Sequence, residues 1–237
     1  MSERNSNLVA GLCGLFAILV AEIAFFAVVG MTPEVGASTE KINDFLAKSS
    51  ARVYGGGYVE IVAFPLILVF FGRLRELLRR AEGEGGWLAA TAFGAAVAAF
   101  AFAAVAFTGE ATVYYAGHHG VDAKTLSLLV DMEGLAFVFG GMPFAVALAA
   151  IATVVLKAGG LPRWLGWSAA VIAVLFPATL WAPTDMGQMP HMLLDVWVVA
   201  ASVVLIRWRE GAYTPRAFSR ERPGRLIGSS TVERSRT

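Results

Sequence analysis

The feature that most constrains this chain is its series of long apolar segments. Six segments of about 20 residues are close to the length that crosses the ~30 Å hydrocarbon core as an α-helix: 8–29, 53–72, 87–107, 133–156, 164–181 and 189–206. At 57% hydrophobic and 16% charged residues, the chain is also too apolar for an ordinary soluble domain. The first segment is longer than the core of a signal peptide, so we expect it to be retained. The sequence therefore predicts an all-α, polytopic bundle of six transmembrane helices.

The distribution of Lys and Arg predicts the orientation of these helices. Fifteen of the 19 basic residues precede the first segment or follow the second, fourth and sixth segments, which places them on one side of the membrane. The other four lie on the opposite side of the membrane. Because short cytoplasmic loops are enriched in Lys and Arg, both termini are predicted to lie in the cytoplasm, with the protein in the plasma (cytoplasmic) membrane. We divide the chain into a six-span membrane domain, 1–209, and a basic cytoplasmic tail, 210–237, which is predicted to be disordered.

The segments between the spans give further expectations. The outer segment 31–52 carries apolar residues at helical spacing, Ile42, Phe45 and Leu46, and is expected to form an amphipathic helix that covers the outer surface. The outer segment 108–126 is expected to be a loop. The third span is alanine-rich and has no ionisable residue, which favours a packing helix.

Ionisable residues inside the spans indicate where a site would lie. With about 1.5 Å of rise per residue from the cytoplasmic ends, Glu22, Glu60 and Asp195 fall about 9, 12 and 13 Å below the outer boundary. His191 lies one turn outside Asp195 on the same helix face, and Glu133 falls in the outer interface. No Lys or Arg lies inside a span. Since ionisable residues in hydrocarbon are costly and usually functional, these five residues are predicted to form an acidic pocket in the outer half of the bundle.

Three functions are compatible with such a pocket. It could bind a cationic or proton-coupled small ligand, with a role in transport. Alternatively, Glu60 or Asp195 could be the catalytic general acid of an intramembrane enzyme that acts on a lipid-like or isoprenoid substrate. In the third interpretation the chain is a scaffold or partner subunit, and the carboxyl groups only hydrogen-bond neighbouring helices.

The sequence predicts neither a cofactor nor a metal, and no nucleic-acid partner. Its single cysteine, Cys13, excludes an intrachain disulfide, and no HxxxH or HExxH spacing is present. Haem ligation by His191 stays open. The expected partners are the lipid bilayer and a small cationic or lipid-like ligand. Six helices are few for a transporter, which favours a homodimer.

Two segments carry a resemblance to known proteins. FFGRLRELLRRAEGEGGWLAA (70–90) and GGLPRWLGWSAAV (159–171) resemble an uncharacterised family of small bacterial six-helix integral membrane proteins, a domain of unknown function. The resemblance covers roughly residues 8–206 and implies the six-span fold without an activity. A more distant resemblance is to small integral-membrane terpene cyclases, which protonate an epoxide or alkene with intramembrane carboxyl groups. It implies that Glu60 and Asp195 are the comparable acids.

Overall fold

Helices form all the regular secondary structure in the part of the chain that the structure, a computed structural model, describes. That part comprises residues 2–24, 33, 35–48, 51–178 and 189–208, without the side chains of 51–58, 60, 110 and 123. Its helices are α1 (Glu3–Ala24), α2 (Thr39–Lys48), α3 (Ala51–Glu82), α4 (Trp87–His118), α5 (Ala123–Ala158), α6 (Arg163–Ala178) and α7 (Met189–Ile206). By length and composition, four of them, α1, α4, α5 and α7, could cross a membrane, and α6 is a shorter apolar helix. The all-α class is therefore confirmed, together with several helices suited to a bilayer.

The long helices form a ring in chain order. α1 packs on α3, α3 on α4, α4 on α5, α5 on α6 and α6 on α7, and α7 returns to α1. The centre of the bundle holds fully buried side chains such as Phe70, Leu74, Ile151 and Leu165. Because the first and last helices are neighbours, residues from opposite ends of the sequence can share one site.

The helix bounds agree with the predicted spans at some ends and differ at others. α3 contains all of segment 53–72, and α7 coincides with segment 189–206. α1 begins at Glu3, five residues before the first predicted span. Residues 25–29, 179–181 and the predicted tail 210–237 lie outside the described part of the chain.

The prediction of a loop over 108–126 was wrong for most of its length. α4 continues to His118 and α5 begins at Ala123. The turn comes at Gly120, where φ is 76°, and Asp122 then caps α5 by accepting hydrogen bonds from two backbone N–H groups of its first turn. At 32 residues, α4 is about 48 Å long, roughly 18 Å longer than the hydrocarbon core is thick. α4 is therefore longer than a single crossing of the hydrocarbon core requires.

The amphipathic helix expected within 31–52 is confirmed as α2, which packs on the α4–α5 hairpin. Ile42 and Phe45 are buried against aliphatic side chains of α4 and α5. Just before α2, the backbone N–H of Gly36 donates to Asp131 Oδ1 of α5 at 2.7 Å. α2 therefore covers the apolar faces that the hairpin would otherwise expose.

Ionic contacts join α1 to α3 at the opposite end of the bundle. The Glu3 carboxylate lies 3.3 Å from Arg73 and 2.8 Å from Arg80. Asn7, which is fully buried, accepts a hydrogen bond from Arg73 Nε at 2.7 Å through its Oδ1. These contacts fix the register between α1 and α3.

Candidate ligand-binding site

The site begins with the close approach of α1 to α7. Gly11 and Gly14 permit this approach because they carry no side chain. A methyl group on Gly11 would lie 2.7 Å from the carbonyl oxygen of Ser202 and 2.7 Å from Cγ1 of Ile206. One on Gly14 would overlap Ser202 Oγ and lie 2.8 Å from the ring of Phe70. We call this contact the glycine seam, and it determines which residues of α1 and α7 face each other further along.

Two carboxyl groups meet about two turns beyond the glycine seam. Glu22 follows Gly14 by eight residues on α1, and Asp195 precedes Ser202 by seven on α7, so the antiparallel helices bring both to one level. Both side chains line one cavity, and they lie close enough to share a hydrogen bond. Such a bond requires at least one proton, because a carboxylate only accepts. We call Glu22 and Asp195 the acid pair.

A cavity of about 160 Å³ borders the acid pair. Its walls come from α1, α3, α4, α5 and α7, so it lies inside the helix ring. Among the described residues that line it, the polar side chains are Glu22, His191 and Asp195, and neither Lys nor Arg is present. The remaining lining is aliphatic, methionine or phenylalanine. The cavity is thus apolar except for one acidic and imidazole-bearing wall.

Six phenylalanines form much of the apolar wall, and we call them the phenylalanine cage. They occur as three pairs, each separated by seven residues, with one pair on each of α3, α4 and α5: Phe64 and Phe71, Phe100 and Phe107, Phe137 and Phe144. Seven residues are close to two helical turns, so both members of a pair lie on the same helix face. The pairs therefore place aromatic rings at two levels of the cavity.

Ring contacts join the members of the cage. The Phe100 ring meets Phe71 and Phe144 edge to face, with centroids 5.8 and 5.2 Å away. Phe64 lies 5.6 Å from Phe100 and 5.8 Å from Phe107. Such tilted and edge-to-face contacts are the favoured geometries of aromatic pairs. They hold the cage rings in place on the walls of the cavity.

His191 joins the acid pair to the cage. Its ring stacks on Phe137 with centroids 4.1 Å apart and meets Phe176 of α6 edge-on at 4.9 Å. It lies one turn from Asp195 along α7. The imidazole is thus positioned mainly by aromatic rings.

Three of the five predicted site residues meet in this cavity: Glu22, His191 and Asp195. Glu60 belongs to α3, but its side chain lies outside the described part, so its role stays a prediction. Glu133 is half-buried on α5 and packs against α4. It is not among the described residues that line the cavity, and its ligand-binding role also stays a prediction.

The paired histidines at the end of α4 have a local structural role. The Nδ1 atoms of His118 and His119 lie 2.8 and 2.7 Å from the carbonyl oxygens of Tyr114 and Tyr115. Each imidazole also packs on the tyrosine ring one turn earlier, at 4.3 and 4.0 Å. Across the described residues, no three His, Cys, Asp or Glu side chains are grouped as a metal ion would require.

The phenylalanine cage was missed at the level of sequence. Its signal is the repetition of phenylalanines seven residues apart on three spans, including the third, which was expected to serve only for packing. The same spacing also arises in ordinary helix packing, so it identifies a cavity wall only after the acids that face it are known.

Comparison with known proteins leaves the family of this chain open. No protein-family model, curated protein or solved structure matches it. The two resemblances noted from the sequence therefore stay predictions, and the function has to be argued from the cavity.

Proposed function

We propose that this chain is a six-span plasma-membrane protein, with both termini in the cytoplasm, that binds a small organic cation in the cavity beside the acid pair. The observation that carries the proposal is the pair itself: two carboxyl groups that line one cavity, in which His191 is the other described polar side chain and neither Lys nor Arg is present among the described lining. A carboxylate in such surroundings is costly unless a positive charge accompanies it. A bound cation would supply that charge.

The phenylalanine cage favours an organic cation over an inorganic one. Aromatic faces attract cations through their quadrupole, and quaternary ammonium groups are the usual ligands of aromatic cages. An inorganic ion would lose its water shell here and find few oxygen ligands in exchange. At about 160 Å³, the cavity is close to the ~150 Å³ engineered cavity that holds benzene. The expected ligand therefore has a compact apolar body and a single ammonium group.

The binding test compares choline with its neutral carbon analogue, 3,3-dimethylbutan-1-ol, which has the same shape and no charge. Purified protein in nanodiscs should bind radiolabelled choline saturably, and unlabelled tetramethylammonium should displace it. The neutral alcohol should not displace it at equal concentration. Asp195→Asn should weaken choline binding at least tenfold, or about 1.4 kcal/mol.

The control is Glu84→Gln, which removes an exposed carboxyl group that does not line the described cavity. It should bind choline as the wild type does. Absence of choline binding to the wild type, or equal displacement by the alcohol and by tetramethylammonium, would contradict the proposal.

The proposed topology is tested by cysteine labelling in intact cells. In a Cys13→Ser background, Lys124→Cys and Glu84→Cys place thiols at exposed positions near opposite ends of the bundle. A membrane-impermeant maleimide should label Lys124→Cys directly and Glu84→Cys only after permeabilisation. The reverse pattern would contradict the orientation inferred from Lys and Arg.

The second candidate function is intramembrane general-acid catalysis on an isoprenoid. A protonated carboxyl group could protonate an alkene, and the aromatic rings around the cavity would stabilise the carbocation that forms. Candidate isoprenoids incubated with the purified protein from about pH 5 to pH 8 would then give a cyclised or hydrated product. If there is neither a product nor choline binding, the scaffold interpretation is left, in which acid substitutions alter only stability or assembly.

A further inference from the structure

We infer that the cavity exchanges one proton of the acid pair for one monovalent organic cation. This inference rests on the proposed function, since it states how the same site would respond to its ligand. It starts from the cavity that Glu22 and Asp195 line together, with neither Lys nor Arg among the described lining. The two carboxyl groups lie close enough to share a hydrogen bond, and such a bond keeps at least one proton on the pair.

The charge balance of the cavity determines the stoichiometry. Without a ligand, an acid pair with two protons is neutral, whereas each lost proton would leave a carboxylate in apolar surroundings without a counter-ion. When a monovalent cation enters, one proton leaves to bulk water and one carboxylate faces the cation. The remaining proton still bridges the two carboxyl groups. The cavity is therefore neutral in both states, and the hydrogen bond between Glu22 and Asp195 is retained in both.

A divalent cation does not fit this balance as well. It would require both protons to leave, and the two carboxylates would then repel each other because no donor remains between them. The exchange therefore selects a single positive charge, in agreement with an aromatic cage that surrounds one ammonium group.

Among the described residues that line the cavity, one further titratable group faces the acid pair. α7 contributes His191, and the described lining residues of α3, α4 and α5 are phenylalanine, alanine or isoleucine. α3 also carries Glu60, whose side chain is outside the described part. Protonation of His191 would also weaken cation binding at low pH, so the test must separate it and Glu60 from the acid pair.

The test measures the dissociation constant of choline as a function of pH, because choline carries a fixed charge in this range. For the wild type, the constant should fall about tenfold per pH unit over part of the range between about pH 5 and pH 9. It should then level off at higher pH. Glu84→Gln, which removes an exposed carboxyl group outside the described cavity lining, should reproduce the wild-type profile.

Three variants identify the group that releases the proton. His191→Gln and Glu60→Gln should each keep the tenfold dependence, and Glu22→Gln combined with Asp195→Asn should lose it together with most of the binding. A constant wild-type affinity across the range would overturn the exchange and leave cation binding intact. Loss of the dependence in His191→Gln or Glu60→Gln would assign the proton elsewhere and also overturn it. Absence of choline binding at every pH would reject the proposed function, and the exchange with it.

Discussion

Replacing Gly11 by alanine tests whether the glycine seam sets the geometry of the site. The added methyl group would lie 2.7 Å from the carbonyl oxygen of Ser202 and equally close to Ile206. Favourable contacts lie at ~3.5–4.0 Å, so α1 and α7 must separate by roughly 1 Å. The carbonyl oxygen cannot swing aside as a flexible side chain could, because it belongs to the backbone of α7.

The size of the effect follows from two opposing terms. Overpacking of this kind typically costs about 1–3 kcal/mol, whereas alanine gains about 0.5–1 kcal/mol over glycine in a helix. We therefore expect Gly11→Ala to lower the free energy of unfolding by about 1–2 kcal/mol. It should also weaken choline binding, because the displacement reaches the acid pair on the same two helices.

The matched control is Gly94→Ala on α4, where an added methyl group meets no neighbouring atom within 4 Å. This variant should be as stable as the wild type, or more stable by up to about 1 kcal/mol. Reversible unfolding in mixed detergent micelles, followed by tryptophan fluorescence, gives both free energies. Equal stabilities and equal choline affinities of Gly11→Ala and Gly94→Ala would refute the reasoning.

Three further predictions concern other parts of the bundle. Hydrogen bonds from Arg79 and Arg80 lower the pKa of Glu76 from 4.5 to about 2. Because the pKa is lower in the folded protein, the wild type should be more stable than Glu76→Gln by a constant amount above about pH 5. This difference in unfolding free energy should shrink as the pH falls towards about 2. An advantage that does not change with pH would contradict this. Trp197→Phe removes a buried hydrogen bond of 3.0 Å to a carbonyl oxygen of α6 and should lower the free energy of unfolding by about 1 kcal/mol or more, whereas an unchanged value would show that this contact contributes nothing. Phe144→Leu removes one aromatic face of the cage and should weaken choline binding about 2- to 30-fold while the protein stays folded, and unchanged affinity would count against the cage.

The sequence predicted the helical class well because apolar length is a direct physical requirement of a membrane-spanning helix. The sequence predicted the helix ends poorly, because the length requirement applies only inside the hydrocarbon core and a helix can continue beyond it. α4 continues past residue 107 through Glu110, Tyr114 and Tyr115, since no proline interrupts it and Gly109 and Gly117 are accommodated in the helix. Only the left-handed conformation at Gly120, with φ of 76°, ends it.

The sequence predicted part of the candidate site. The depth of a residue in the membrane indicates which residues lie at one level, but it does not show which helices are neighbours. Equal depth suggested that Glu22 and Asp195 could meet, but it could not show that α1 and α7 are neighbours. That contact depends on the fit of Gly14 to Ser202, which only the assembled helices reveal. Depth also placed Glu133 near the site; its side chain packs against Gly109 of α4 and does not line the described cavity, so its ligand-binding role stays a prediction.

The most direct test of the central claim is the infrared difference spectrum of the wild type at neutral pH with and without choline. Choline should reduce the C=O stretching band of protonated carboxyl groups by about one group per protein, as expected for one released proton. The change should be absent in Glu22→Gln combined with Asp195→Asn and present in Glu84→Gln. A protonated-carboxyl band that does not change while choline is bound would contradict the claim that Glu22 and Asp195 exchange a proton for the cation.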